Sequence, residues 1–203
     1  MAITVALGVL TQCKKSEVED NQETNQNSTT NSTFLAPTNQ GTYWVYEYQY
    51  KDENDSITNW GIDTVSIVGD TMINNQTFQV LEGTRYGNPT TTYQRTSNGF
   101  ALNGNGDTLF SCLNPGEVFR EIQNEVLTQY LSCEEGMYSY EVPFGTFESY
   151  KVKNRAVTDQ ELYWAPEKIT YSYYVDGIGM TYSEAFFASS PITIVQQLID
   201  FQE

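Results

Sequence analysis

The side chains that usually carry enzymatic chemistry are scarce in this chain. It contains no histidine. That removes Ser-His-Asp and Cys-His nucleophilic catalysis, histidine-ligated metals and a simple imidazole pH switch. Carboxylates remain. Glu134, Glu135, Glu148 and Glu161 could in principle supply the acid and base of glycoside hydrolysis, which needs carboxyl groups about 5–9 Å apart. With 26 acidic residues against 10 basic ones, solvated surface acids are the plainer reading. No catalytic residue is assigned, and the chain is expected not to be an enzyme. Hard oxygen ligands cluster at Asp52-Glu53-Asn54-Asp55 and at Asn103-Gly104-Asn105-Gly106-Asp107. Neither has the glycine and glutamate placement of an EF-hand loop, so solvated turns are expected there. Calcium is the one cofactor these turns could take; otherwise no cofactor and no metal are expected. Gly177-Ile178-Gly179 lacks the third glycine of a dinucleotide fingerprint and is read as a turn.

Aromatic side chains offer the other chemistry. They make up 14% of the chain, with 15 tyrosines. Trp44, Tyr46, Trp60 and Trp164 could face an apolar or carbohydrate ligand; packing into a core is the plainer role. The net charge of −16 repels phosphate backbones and argues against nucleic acid as a partner.

These residues must be positioned by strands. Trp44, Tyr46, Tyr48 and Tyr50 alternate with Val45, Glu47 and Gln49, which places the aromatics on one strand face. Further strands are expected over 60–68, 76–85, 90–96, 100–102, 108–113, 137–142, 145–152, 161–164, 169–175, 180–187 and 192–201. Gly69-Asp70, Asn74-Asn75, Gly87-Asn88-Pro89 and Asn103–Gly106 serve as turns. Over 117–131, Val118, Ile122, Val126 and Tyr130 recur at helical spacing, while two strands broken near Asn124 fit almost as well; strand is preferred. The fold class expected is all-β, an antiparallel β-sandwich or open curved barrel, with at most one short helix near 117–131.

The front of the chain speaks to location. Ala2 to Leu10 has the length of a secretory apolar core, about 7–15 residues, and is far short of the roughly 20 apolar residues of a membrane-spanning helix. Leu10-Thr11-Gln12-Cys13 resembles a bacterial lipobox. Cys13-Lys14-Lys15 followed by Glu17, Glu19 and Asp20 resembles the lipoproteins of Bacteroidota-type bacteria. The resemblance implies a signal peptide over 1–12 and a lipid anchor at Cys13. Asn21–Gln40 is almost wholly polar and is read as the end of a flexible linker spanning 13–40, ahead of a single β domain over 41–203. The expected location is the cell envelope, as an outer-membrane lipoprotein facing the periplasm or the exterior. The expected partners are the membrane, through the anchor, and an unknown protein or an apolar or carbohydrate ligand.

Within the body, Gly69-Asp70-Thr71 with Asn74, Val142-Pro143-Phe144-Gly145-Thr146-Phe147 and Tyr173-Tyr174-Val175-Asp176-Gly177-Ile178-Gly179-Met180 are similar to segments of uncharacterised lipoproteins of that group. That likeness implies a curved β-sheet akin in shape to periplasmic lipoprotein carriers, and implies no activity. With Cys13 taken by lipid, Cys112 and Cys133 are candidates for a disulfide in an oxidising compartment, with two buried free thiols as the alternative.

Overall fold

The computed structural model describes residues 34, 36–97, 99–162 and 166–203, and over these it is built from strands and turns without a helix. The strands are β1 (Tyr43–Lys51), β2 (Ile57–Ile73), β3 (Gln76–Arg85), β4 (Asn88–Ser97), β5 (Phe100–Asn103), β6 (Thr108–Ser111), β7 (Val118–Gln123), β8 (Thr128–Cys133), β9 (Tyr138–Val142), β10 (Gly145–Val157), β11 (Glu167–Val175), β12 (Gly179–Phe186) and β13 (Thr193–Gln202).

Pairing is antiparallel, in the order β6-β5-β4-β3-β2-β1-β13-β12-β11-β10-β8-β7. The first and last strands pair with each other, Tyr43 against Gln202 through to Lys51 against Thr193. The path ends at β6 on one side and β7 on the other, and the two ends come together across a seam. Strand β10 is shared along its length: Gly145–Ser149 pair with β9, and Val152–Val157 pair with β8. The result is a nearly closed, barrel-like sheet with the β9–β10 hairpin as an appendage.

Local chemistry sets the turns. Asn74 and Asn75 have φ of 50° and 61°, and Tyr86 and Gly87 have φ of 51° and 77°. Two successive residues at positive φ form the two-residue hairpin loop whose twist suits right-twisted strands. At the 117–131 stretch, the Asn124 side chain accepts the Val126 and Leu127 amides at 2.8 and 3.0 Å. That turn lets two strands, β7 and β8, form where the spacing also allowed a helix.

Several boundaries differ from the sequence reading. Gly69-Asp70 is not a turn; it lies inside the 17-residue β2, just after a register shift between Ile67 and Gly69. A bulge bends a strand without ending it. Asn88 and Pro89 open β4 opposite Arg85 and Thr84 instead of breaking the chain. Glu161 and Leu162 are not in a strand; the Leu162 amide bonds back to the Gln160 carbonyl and the Thr158 amide to that of Pro166, a loop pattern. Phe34, Ala36 and Pro37, assigned to the linker by composition, are buried, so the folded body includes residues well before Gly41.

The interior holds two clusters. One joins Phe34, Ala36, Ala101, Phe110, Cys112, Cys133 and Val152, with Tyr150 and Tyr174 packed against them. The other joins Trp44, Tyr46, Ile67, Val142, Tyr182, Val195 and Leu198.

Candidate functional site

The aromatic face of β1 turns inward. Trp44 and Tyr46 are each 6% exposed. The Trp44 indole donates to the Ile178 carbonyl at 2.7 Å, and the Tyr46 hydroxyl donates to the Met180 carbonyl at 2.8 Å. Both polar tips are thus spent on the β11–β12 turn and the start of β12, as buried Tyr and Trp require. Burial pushes the Tyr46 hydroxyl far above its ordinary pKa, with neighbouring Tyr174 adding to it. These two residues are pieces of the core. Farther along the strand, the Tyr48 ring lies over Gly61, its cross-strand partner. A Cβ at Gly61 would overlap that ring. Trp60 points the other way and is 62% exposed. Trp164 and Cys13 lie outside the described residues.

A second aromatic group sits on β9, β11 and β12. Tyr140 stacks on Tyr173 with ring centroids 3.9 Å apart and packs against Tyr182 at 4.9 Å. The Tyr182 hydroxyl donates to the Glu184 carboxylate at 2.7 Å, and the other Glu184 oxygen accepts the Tyr171 amide at 2.9 Å. Burial, then the bond to Glu184, raises the Tyr182 pKa strongly. Beside this group, Lys151 pairs with Glu134 at 2.8 Å and lies over the rings of Tyr171 and Tyr138 at 4.0 and 5.0 Å. Burial opposes the charge on Lys151, but the bond and charge of Glu134 outweigh it, and the net shift is upward. The cage is filled by the protein's own cation. Nearby, Arg155 is paired with Glu167 at 2.8 Å.

Glu134 is committed to Lys151, while Glu135, Glu148 and Glu161 are exposed on separate segments. At the two oxygen-rich turns, the side chains close their own loops. Asp52 accepts the Asn54 and Ser56 amides, both at 2.9 Å. Asn103 accepts the Asn105 and Asp107 amides, and Asp107 also takes Arg120 at 3.3 Å. Among the described residues, no three His, Cys, Asp or Glu side chains gather in a metal-binding group.

Cys112 and Cys133 form a disulfide, with Cα atoms 5.2 Å apart. Cys112 follows β6 and Cys133 ends β8, the neighbour of β7, so the bond reaches across the seam. Arg120 on β7 and Asp107 in the β5–β6 turn form a second tie there.

Two hollows stand out among the described residues. One, about 290 Å³, is lined by Asp52, Glu53, Asp55 and Lys168, with Phe186 and Ile192 among its apolar walls. The other, about 520 Å³, is an open groove along 123–128 and 157–159. Neither is lined by Trp44, Tyr46 or Trp60.

The sequence reading missed Asp63. This carboxylate is wholly buried. It accepts the amides of Tyr86 at 2.6 Å and Gly87 at 3.0 Å, with the Gln196 amide group at 3.5 Å. Its signal was an acidic residue on an inward position of a strand, where Asp is rarely left without partners.

The arrangement defines a one-sheet antiparallel β protein, rolled almost into a barrel and fastened at its seam. One solved structure makes the fold specific. A Bacteroides fragilis protein, described as exported and as having a YmcC-like fold, matches with a TM-score of 0.53 and 16% identity, over 84% of this chain and 99% of the other. A Parabacteroides distasonis protein, described as a lipoprotein, matches with a TM-score of 0.49 and 12% identity, over 83% of this chain and 98% of that one. The chain has the YmcC-like fold. No protein-family model matches the sequence, and no curated protein matches it.

Proposed function

We infer that this chain is an exported protein held to the bacterial cell envelope by lipid on Cys13, working as a non-catalytic binding or assembly module. The observation that carries this reading is the apolar run ending in Leu10-Thr11-Gln12-Cys13, followed at once by Lys-Lys and acids. Support comes from the shared fold of a protein described as exported and from a buried disulfide, which forms and persists in oxidising compartments. The outer membrane is the proposed site, with the domain on the periplasmic or outer face. Histidine is absent, and the described carboxylates are paired or dispersed, which favours binding over hydrolysis. Carriage of an apolar ligand inside the sheet gains no support from Trp44 and Tyr46, since both are consumed by core packing.

Labelled fatty acid supplied to cells producing the chain tests the reading. Label is expected on the wild type and not on a Cys13→Ser variant, which should leave the membrane fraction. Wild-type chain that takes up no label and fractionates as soluble protein would overturn it.

A further inference from the structure

Strand β2 is paired on one side only over its first third. Its bonds to β1 run from Ile57 to Ser66, but its bonds to β3 begin only at Val65. Among the described residues, nothing pairs with the other edge of residues 57–62. Thr64 shows which residues face that edge: its amide lies 3.4 Å from the Thr84 hydroxyl on the β3 side. By the two-residue period, Trp60 and Ile62 also point their backbone groups outward. The Trp60 amide donates to the Asn59 side chain, at 2.9 Å, a local bond that pairing would exchange. Exposure agrees: Ile57 is 53% exposed, Trp60 62% and Ile62 47%.

Natural edge strands are blunted by Lys, Pro, other charges or β-bulges. This one has a register shift against β1 at Thr58 and no other such device. Ser56 to Ile62 carries no charge and no proline in a chain of net charge −16. The free stretch is also bounded. The loop holding Asp52, Glu53 and Asp55 lies at one end, and the Tyr86-Gly87 hairpin tip, next to exposed Arg85, lies at the other.

We propose that this edge pairs with the same edge of a second copy, joining two sheets about a two-fold axis through Trp60. Antiparallel pairing centred on Trp60 sets residue 60 of one copy against residue 60 of the other, with Ile62 of each running on to Thr58, where the register of β2 against β1 shifts. The outward-pointing backbone groups of the two Trp60 residues then meet, the condition for a hydrogen-bonded antiparallel pair. The two Trp60 side chains fall on one face, directly opposed, and Ile62 falls opposite Thr58. The acidic loop of each copy comes beside the Arg85 end of the other, so the charged ends are complementary and no like charges oppose within the pair. A two-fold contact of this kind is closed and stops at a dimer.

Sedimentation velocity of the full chain over a concentration series tests this, with hydrogen exchange on the same samples. The expected result is a monomer–dimer equilibrium, with the Trp60 and Ile62 amides gaining protection as the dimer fills. Trp60→Lys, which puts a charge on an already exposed position, should leave a folded monomer. Arg85→Glu should weaken the dimer and remove its sensitivity to salt. A wild type that stays monomeric with both amides unprotected would overturn the proposal. So would a dimer that survives Trp60→Lys, or an edge protected only when a different protein is added.

Discussion

The carboxylate of Asp63 on β2 accepts the amide of Tyr86 at 2.6 Å while being wholly buried. Tyr86 stands at a φ of 51°, a conformation that bulky residues seldom adopt. The bond fixes the β3–β4 hairpin against β2, and the adjacent Gly87 amide is held by the other carboxylate oxygen. Replacing Asp63 with Ala strands two amides and frees a strained turn. A loss of about 3 kcal/mol is expected in urea unfolding. Asp63→Asn, which keeps one acceptor oxygen, should lose less.

The bond between Cys112 and Cys133 closes the seam that backbone pairing leaves open. The two residues are 21 apart in sequence. A cross-link over a loop of that size restricts the unfolded chain enough to stabilise the fold by about 3 kcal/mol. A Cys112→Ser, Cys133→Ser double variant should show that loss in denaturant titration. Adding reductant to the double variant should change nothing further.

Phe34 is 1% exposed, and its ring centroid lies 4.2 Å from that of Phe110. It also meets Tyr150 and Tyr174 edge-on. Phe34→Ala leaves a cavity among rings from β6, β10 and β11, and a loss of about 3–5 kcal/mol is expected from thermal or urea unfolding. A truncation that starts at Gly41 should be destabilised by at least as much.

Alkali should unfold this protein through its tyrosines. Burial raises the pKa of Tyr46, Tyr174 and Tyr182 above the ordinary 10.0. The folded state then holds protons that the unfolded state has released. Stability is therefore full below the unfolded value and falls as pH climbs through and beyond it. The denaturation midpoint should be flat through neutral pH and drop above about pH 10. Tyr182→Phe should make the drop shallower, because one proton fewer distinguishes the two states.

Much of this architecture was legible in the residues. The alternation along β1, the paired asparagines before β3 and the glycine-punctuated strands near the end of the chain each obey one local rule. The unreadable parts depend on distant partners. Gly69-Asp70 has turn composition, but β3 on one side carries β2 through a bulge. Phe34 sits in a polar stretch, and only a cavity between β6 and β10 explains its burial. Trp44 and Tyr46 were correctly placed on one face. Whether that face held a ligand or the molecule's own core turned on carbonyls more than 130 positions away.

Strand β1 is flanked by β2, its neighbour along the chain, and by β13, made more than 140 positions later. All other neighbours in the sheet are close in sequence, so hairpins can assemble as the polypeptide emerges. The one long-range match waits until the chain has been made as far as β13. A nascent chain halted before residue 193 would carry β1 with one side bare, and synthesis of the ten-residue β13 is what joins the two halves of the sheet.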